Sequence, residues 1–263
     1  MGIFCTNMKN ERIGQRKLDN YGIEMVVIEY KTHKEIVVEF QDEYKTKVEA
    51  RWSQFEKGNI RNPNRKSFQN VGRLGQGKYS ITEDRKLTKC FQTWENMLRR
   101  CYDPYELNKQ PTYIDCYVCD EWLCYQNFAE WWENNYYEIE DEKMCLDKDI
   151  LCRDNKIYSP QACIFAPQKI NNLFTKRQND RGKYLIGVKE GTKGRYIALL
   201  NKSDRYEKPK RTHLGIFNTE IEAFLKYKEE KEKIIKHIAD QYKNDIPKEL
   251  YEALYLYEVR ITD

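Results

Sequence analysis

Nowhere in this chain do apolar residues run to the ~18 needed to cross a membrane, and no export leader opens it. The sequence therefore predicts neither a membrane span nor secretion. Histidine is scarce, at three residues (His33, His213 and His237), so few side chains can take up a proton near neutral pH. Acid is missing from one whole segment: Lys57 to Lys78 holds six basic residues and no Asp or Glu. Tyrosine, in contrast, is abundant at 20 residues, with 5 tryptophans and 33% charged residues. Over 263 residues that balance favours small aromatic-rich modules over one large aliphatic core. Nine cysteines, an odd number, predict reduced thiols in a cytoplasm, because they cannot all pair within one chain.

Charge is segregated along the chain. After the basic 57–78 block, Asp103 to Asp147 carries twelve acids against Lys109 and Lys143. Arg181 to Arg211 then carries ten basic residues against Glu190, Asp204 and Glu207. Such blocks suit a polyanion at the last segment and, in the acidic 103–147 segment, a protein that itself binds nucleic acid. For the first basic block, neutralisation by neighbouring modules is an equal reading.

The amino-terminal part, residues 1–83, reads as a small β-rich module. "YGIEMVVIEY" and "KEIVVEF" form a hairpin across a "KTH" turn, "KTKVEA" adds a third strand, and "RWSQFEKGNI" gives a short helix stopped at Gly58. "VGRLGQGKYS" has Gly72, Gly77 and Lys78 at phosphate-loop spacing. Tyr79 stands where the magnesium-binding hydroxyl belongs, and the flanks show no strand and helix, so the stretch reads as a glycine turn.

Residues 84–178 read as an α+β centre. "TKCFQTWENMLRRCY" places Phe91, Trp94, Met97 or Leu98, and Cys101 on one helical face, and residues 119–137 do the same with Trp122, Tyr125, Phe128 and Trp131 or Trp132. Cys116 and Cys119 form one C-x-x-C with no second pair, so buried thiols are expected and zinc is not. "LDKDILCRDNKIYSPQACIFAPQKINNLF" reads as strand, polar loop, strand, and a helix opened by Pro167, with Asp147 and Asn171 facing each other.

This stretch resembles the ββα-metal core of the HNH endonuclease family, especially its phage and intron-homing members. The lead-in residues Trp94, Met97, Arg100, Cys101 and Tyr102 also resemble those of phage HNH-like proteins. The resemblance implies Mg²⁺ or Mn²⁺ held by Asp147, Asn155 and Asn171, but the family's general-base histidine falls on Lys148. A lysine between Asp147 and Asp149 keeps its proton and cannot act as a base. No catalytic residue or cofactor is assigned, and the aspartates are expected to pair with Lys148 or Arg153.

Residues 179–263 read as three strands ("YLIGVKE", "RYIALLN", "RTHLGIF") and a helix capped by Asn218 or Thr219 with Glu222 in a capping box. The terminal "IPKELYEALYLYEVRITD" adds a helix and a short strand. "GVK", "GRYIALL" and "HLGIFNTEIEAFLKY" resemble the plant ethylene-response-factor type of DNA-binding domain. That resemblance implies a sheet face in the major groove of duplex DNA, with Lys189 and Arg195 near base- or phosphate-contacting positions and Tyr196 and His213 where the family uses larger or more basic groups. Lys183, Lys193, Lys202, Lys208, Lys210 and Arg211 would then act on phosphates. The expected fold class is α+β. The leading functional expectation is a phage-type DNA-binding accessory or regulatory protein in the bacterial cytoplasm, with an inactive nuclease centre. Two alternatives stand beside it: an active metal-dependent homing nickase, and a phage protein that binds and inhibits a host defence complex, its acidic 103–147 segment meeting a host or phage protein.

Overall fold

A computed structural model of the chain describes residues 11–174, 183–202, 204–207 and 210–263. The fold is α+β, with several small sheets, one of them a carboxyl-terminal three-stranded antiparallel sheet backed by a helix. Two compact units form, residues 1–110 with 120–130, and residues 111–119 with 131–263. The sequence boundary at 178/179 thus falls inside the second unit, and the stretch from 84 to 178 is shared between the two.

In the first unit, strands β1 (Arg16–Leu18), β2 (Glu24–Thr32), β3 (Glu35–Phe40) and β4 (Lys47–Ala50) form one antiparallel sheet in sequence order. Met25 and Val27 point inward from β2, and a register shift after Val27 lets Tyr30 follow them to the same side. Ile36, Val38 and Phe40 alternate inward from β3. Helix α1 (Trp52–Glu56) covers this face with Trp52 and Phe55, and the chain leaves it through Gly58 at φ +65°. Each such side chain, once buried, contributes about 1.5–3 kcal/mol.

A two-residue ribbon follows, β5 (Thr82–Glu83) with β6 (Lys86–Leu87). Helix α2 (Lys89–Tyr102) is capped by Thr88 and buries Phe91, Trp94, Met97, Leu98 and Cys101. Helix α3 (Pro104–Lys109) starts on an Asp103 cap, and helix α4 (Tyr125–Asn135) buries Tyr125, Phe128 and Ala129. The glycine-rich 72–78 turn is neither preceded by a strand of the sheet nor followed by a helix, so no phosphate loop forms there.

In the second unit, β7 (Tyr117–Val118) pairs in parallel with β9 (Ile157–Tyr158), and β8 (Met144–Asp147) pairs antiparallel with β10 (Ile164–Pro167). Strand β8 ends at Asp147, earlier than "LDKDIL" suggested. Pro167 closes β10 and serves as the extended cap of α5 (Gln168–Asn171), a single helical turn, and does not occupy the first helical position.

Strands β11 (Val188–Glu190), β12 (Tyr196–Lys202) and β13 (Lys210–Phe217) form the three-stranded sheet. Helix α6 (Glu220–Tyr242) serves two cores. Ala223, Phe224 and Tyr227 cover Val188, Ala198 and Leu200 of the sheet. About two to four turns further on, Ile235, Ile238, Ala239 and Tyr242 pack with Ala166, Ile170 and Leu173 of the ββα unit and with Leu250 and Leu254 of α7 (Lys248–Tyr255). The expected terminal strand does not form; residues 257–260 run without regular structure, and Val259 tucks into the sheet core.

Candidate nucleic-acid interface and the ββα unit

Asp147 sits opposite Ile164 at the end of β8, where the chain must turn. Its Oδ1 accepts hydrogen bonds from the backbone N–H groups of Asp149 and Ile150, each at 2.7 Å. An aspartate in this role mimics a backbone turn. Burial lifts the Asp147 carboxyl above the usual carboxylate range, against the two backbone donors, and the charge of Asp149 adds to the rise.

Lys148 is 6% exposed. Its Nζ donates to both carboxylate oxygens of Asp149, at 2.8 and 2.9 Å, and to the Asn155 carbonyl at 2.6 Å. Burial alone pulls the ammonium pKa down, but the hydrogen bond and charge of Asp149 outweigh it, and the net shift is upward. The group at this position is therefore a fixed donor at neutral pH. Asn155 completes the loop: its amide donates to the carbonyls of Lys148 (2.9 Å) and Ile157 (2.6 Å), and its Oδ1 accepts from Ile157 N (3.1 Å). Arg153 pairs with Asp263 and donates to the Glu258 carbonyl, so Lys148 takes Asp149 alone.

The donor set does not fit a divalent metal. Mg²⁺ asks for one or two free carboxylates and several waters. Here Asp147 offers one oxygen beyond its turn, Asp149 is held by an ammonium, and the Asn155 amide serves the loop. Asn171 is half-buried on α5, which packs on β8 and β10. Among the described residues no three His, Cys, Asp or Glu side chains converge as metal ligands would. His213 lies on β13, His237 pairs with Asp204 at 3.4 Å, and His33 is in the β2–β3 turn, so none of the three belongs to this loop.

The sheet has two unlike faces. Val188, Ala198 and Leu200 face α6, and Tyr196 joins them, edge-on to Tyr184. Tyr196 therefore belongs to the core side, which corrects its expected place among the DNA-contacting residues. The other face carries three cross-strand rows: Lys189–Ile197–Ile216, then Leu199–His213, then Asn201–Arg211. Register slips by one residue between Ala198 and Leu199, and Gly215, at φ +147°, supplies the conformation this bulge requires. The Thr192–Arg195 turn, with Lys193 and Gly194 both at positive φ, is the hairpin type that matches strand twist and carries Lys193 to the tip. Arg195 precedes β12 in line with Ile197.

Lys189, Lys193, Arg195, Lys202, Lys210, Arg211 and His213 are exposed. Lys202 and Lys210 oppose each other at the far end of the sheet, and Lys183 lies over the Tyr184 ring. Lys208 lies outside the described residues. None of the five cations Lys189, Lys193, Arg195, Lys210 and Arg211 has an acidic partner among the described residues. On α6, in contrast, three of the five lysines, Lys226, Lys228 and Lys233, each bond a glutamate within a turn. In the first basic block Arg65 stacks on Tyr21, Arg73 on Tyr44, and Lys66 lies 3.9 Å from Glu43, so much of that charge is engaged locally. The acids Glu138, Glu140 and Asp141 border a groove with Arg205 and Asp245, which pair at 2.5 Å.

Sequence reasoning passed over Ile197, Leu199, Ile216 and Asn201, which share the open face with the cations. The signal was there in "RYIALLN", where apolar residues occupy both parities of one strand, more than one buried face requires. No protein-family model, curated protein or solved structure matches the chain.

Proposed function

We propose that this chain binds duplex DNA through the open face of the β11–β13 sheet, as an accessory or regulatory protein, and that its ββα unit does not cut. The observation that carries the reading is the contrast in charge pairing. Lys226, Lys228 and Lys233 on α6 are each paired with a glutamate, whereas five cations on and around the sheet face solvent without a counter-charge among the described residues. Leaving cations unpaired on one face costs self-repulsion, which a polyphosphate relieves.

Three strands at about 4.8 Å spacing span roughly 10 Å between the outer pair, which suits a major groove about 12 Å wide. Lys193 at the hairpin tip and Arg211 at the opposite end would reach the phosphates on either side, fixing orientation. Lys148 supports the silent half of the reading. Hydrolysis by a general base needs a group that can accept a proton, and this ammonium is held in its charged form by Asp149. The resemblance to phage HNH-type proteins adds a bacterial cytoplasm as the setting.

The test is binding to a labelled duplex over a salt series, with supercoiled plasmid and Mg²⁺ or Mn²⁺ run in parallel. The reading expects binding that weakens steeply with salt, with log K against log[salt] sloping by about −0.9 per phosphate engaged, and plasmid that stays supercoiled. Absence of binding at low salt overturns the DNA assignment. Metal-dependent nicking that is lost in Asp147→Ala overturns the silent centre.

A further inference from the structure

We propose that the open sheet face selects thymine methyl groups, so that its target is A·T-containing duplex DNA; this rests on the DNA-binding reading above. The centre of that face is aliphatic. Ile197 and Ile216 are cross-strand partners, Leu199 lies in the next row, and Ile216 is 55% exposed. A water-facing aliphatic patch in the middle of a cationic rim is unfavourable unless something apolar covers it, because each methylene left in water forgoes about 0.8 kcal/mol.

The charge rim names the occupant. Lys189, Arg195 and Arg211 surround the patch, and no acid shares its parity: Glu190 belongs to the row of Tyr196 on the core side, where it interacts with the Tyr184 hydroxyl. In the major groove the apolar feature of a base-pair edge is the C5-methyl group of thymine. Guanine reading takes an arginine or lysine brought bidentate onto O6 and N7, but the cations here stand at the edges of the patch. Cytosine would present its N4 amino group to Ile197 or Ile216, leaving a buried donor unsatisfied. Asn201, outward in the row of Arg211 and with no hydrogen-bond partner for its amide among the described residues, has the donor and acceptor pair that matches adenine N7 and N6. Aliphatic centre and asparagine flank both point to A·T pairs.

The experiment uses the full chain and three short duplexes: a mixed A·T sequence, the same sequence with deoxyuridine for every thymidine, and a G·C sequence with or without 5-methylcytosine. The uridine duplex differs only by methyl groups, so phosphate contacts are unchanged. Each methyl buried against the patch is expected to tighten binding about fourfold, so two or three give roughly 15- to 60-fold between the thymidine and uridine duplexes. Methylating cytosine should tighten binding to the G·C duplex. Ile216→Ala should narrow the thymidine-to-uridine ratio while leaving the salt slope intact; a circular dichroism spectrum checks that the sheet persists. Equal affinity for thymidine and uridine duplexes, with binding still steeply salt-dependent, overturns methyl selection and leaves the DNA reading standing. A ratio unmoved by Ile216→Ala overturns the assignment to this face. Failure of every duplex to bind at low salt overturns the parent reading instead, and leaves the face to a protein partner.

Discussion

Replacing Lys148 with methionine should loosen the ββα loop, and the size of the effect follows from the partners it leaves. The ammonium makes two hydrogen bonds to Asp149 and one to the Asn155 carbonyl. Hydrogen bonds to a charged group are worth about 1.5–3 kcal/mol each, and truncating one side of a fully buried pair costs about 3–5 kcal/mol. Asp149, however, is 50% exposed and can recover water when its partner goes. Methionine also removes the burial cost of the ammonium itself. What remains is chiefly the Asn155 carbonyl left without its donor, giving a net loss of about 1–3 kcal/mol.

Urea unfolding followed by tryptophan fluorescence reads this directly, because Trp131 and Trp132 pack on Phe165 of β10. The midpoint should fall with the slope unchanged. A midpoint that stays or rises would show that Asn155 and the β7–β9 pairing hold the loop without the lysine, and the structural role given to Lys148 would be lost.

Further outcomes follow from other parts of the molecule. Lys231, half-buried on α6 without an acidic partner among the described residues, has its pKa lowered by desolvation from 10.5 to about 8. Since the unfolded chain holds that proton more tightly, stability should be flat below about pH 8 and rise toward pH 10.5; Lys231→Met should remove the rise and gain about 1–2 kcal/mol at pH 7, as thermal unfolding across pH would reveal. Gly187 has φ +76°, and a Cβ there would meet the Tyr227 ring at 2.1 Å. Gly187→Ala should therefore cost at least about 2 kcal/mol in chemical denaturation and weaken DNA binding by disturbing β11, while an unchanged midpoint would mean that α6 is not seated on the sheet as described. Thr219→Ala removes the capping box, in which Glu222 N donates to Thr219 Oγ1 and Thr219 N donates to Glu222 Oε2. About 1 kcal/mol of stability should go with it, readable as a lower melting temperature.

Much of the fold was legible wherever one face of an element is buried and the other is not. The β2–β3 hairpin, the Phe91–Trp94–Met97–Cys101 stripe and the Thr219 cap each carry a single clean period or a local hydrogen-bond signature. Strand β1 was not legible, because Arg16, Lys17 and Leu18 are all exposed and no apolar side chain of the strand is buried to give a period. Nor could periodicity reveal that α6 serves two cores, since one apolar stripe looks the same whether it meets one partner or two. Tyr196 was misplaced for the reason that exposed Ile197 and Leu199: with apolar residues on both parities, alternation does not say which set faces the helix. At the candidate sites, the residue types were visible and their bonding was not. That Asn155 holds the loop, and that Lys148 reaches the Asn155 carbonyl, depend on a turn whose shape the sequence does not encode locally.

The central claim is that unpaired cations on the β11–β13 face meet phosphate. The most direct measurement is the salt dependence of duplex binding for the native chain beside a Lys189→Gln, Arg195→Gln, Arg211→Gln triple variant. If each cation engages one phosphate, the log–log slope should become shallower by about 2.7, at ~0.9 per contact. Identical slopes for the two proteins would contradict the account.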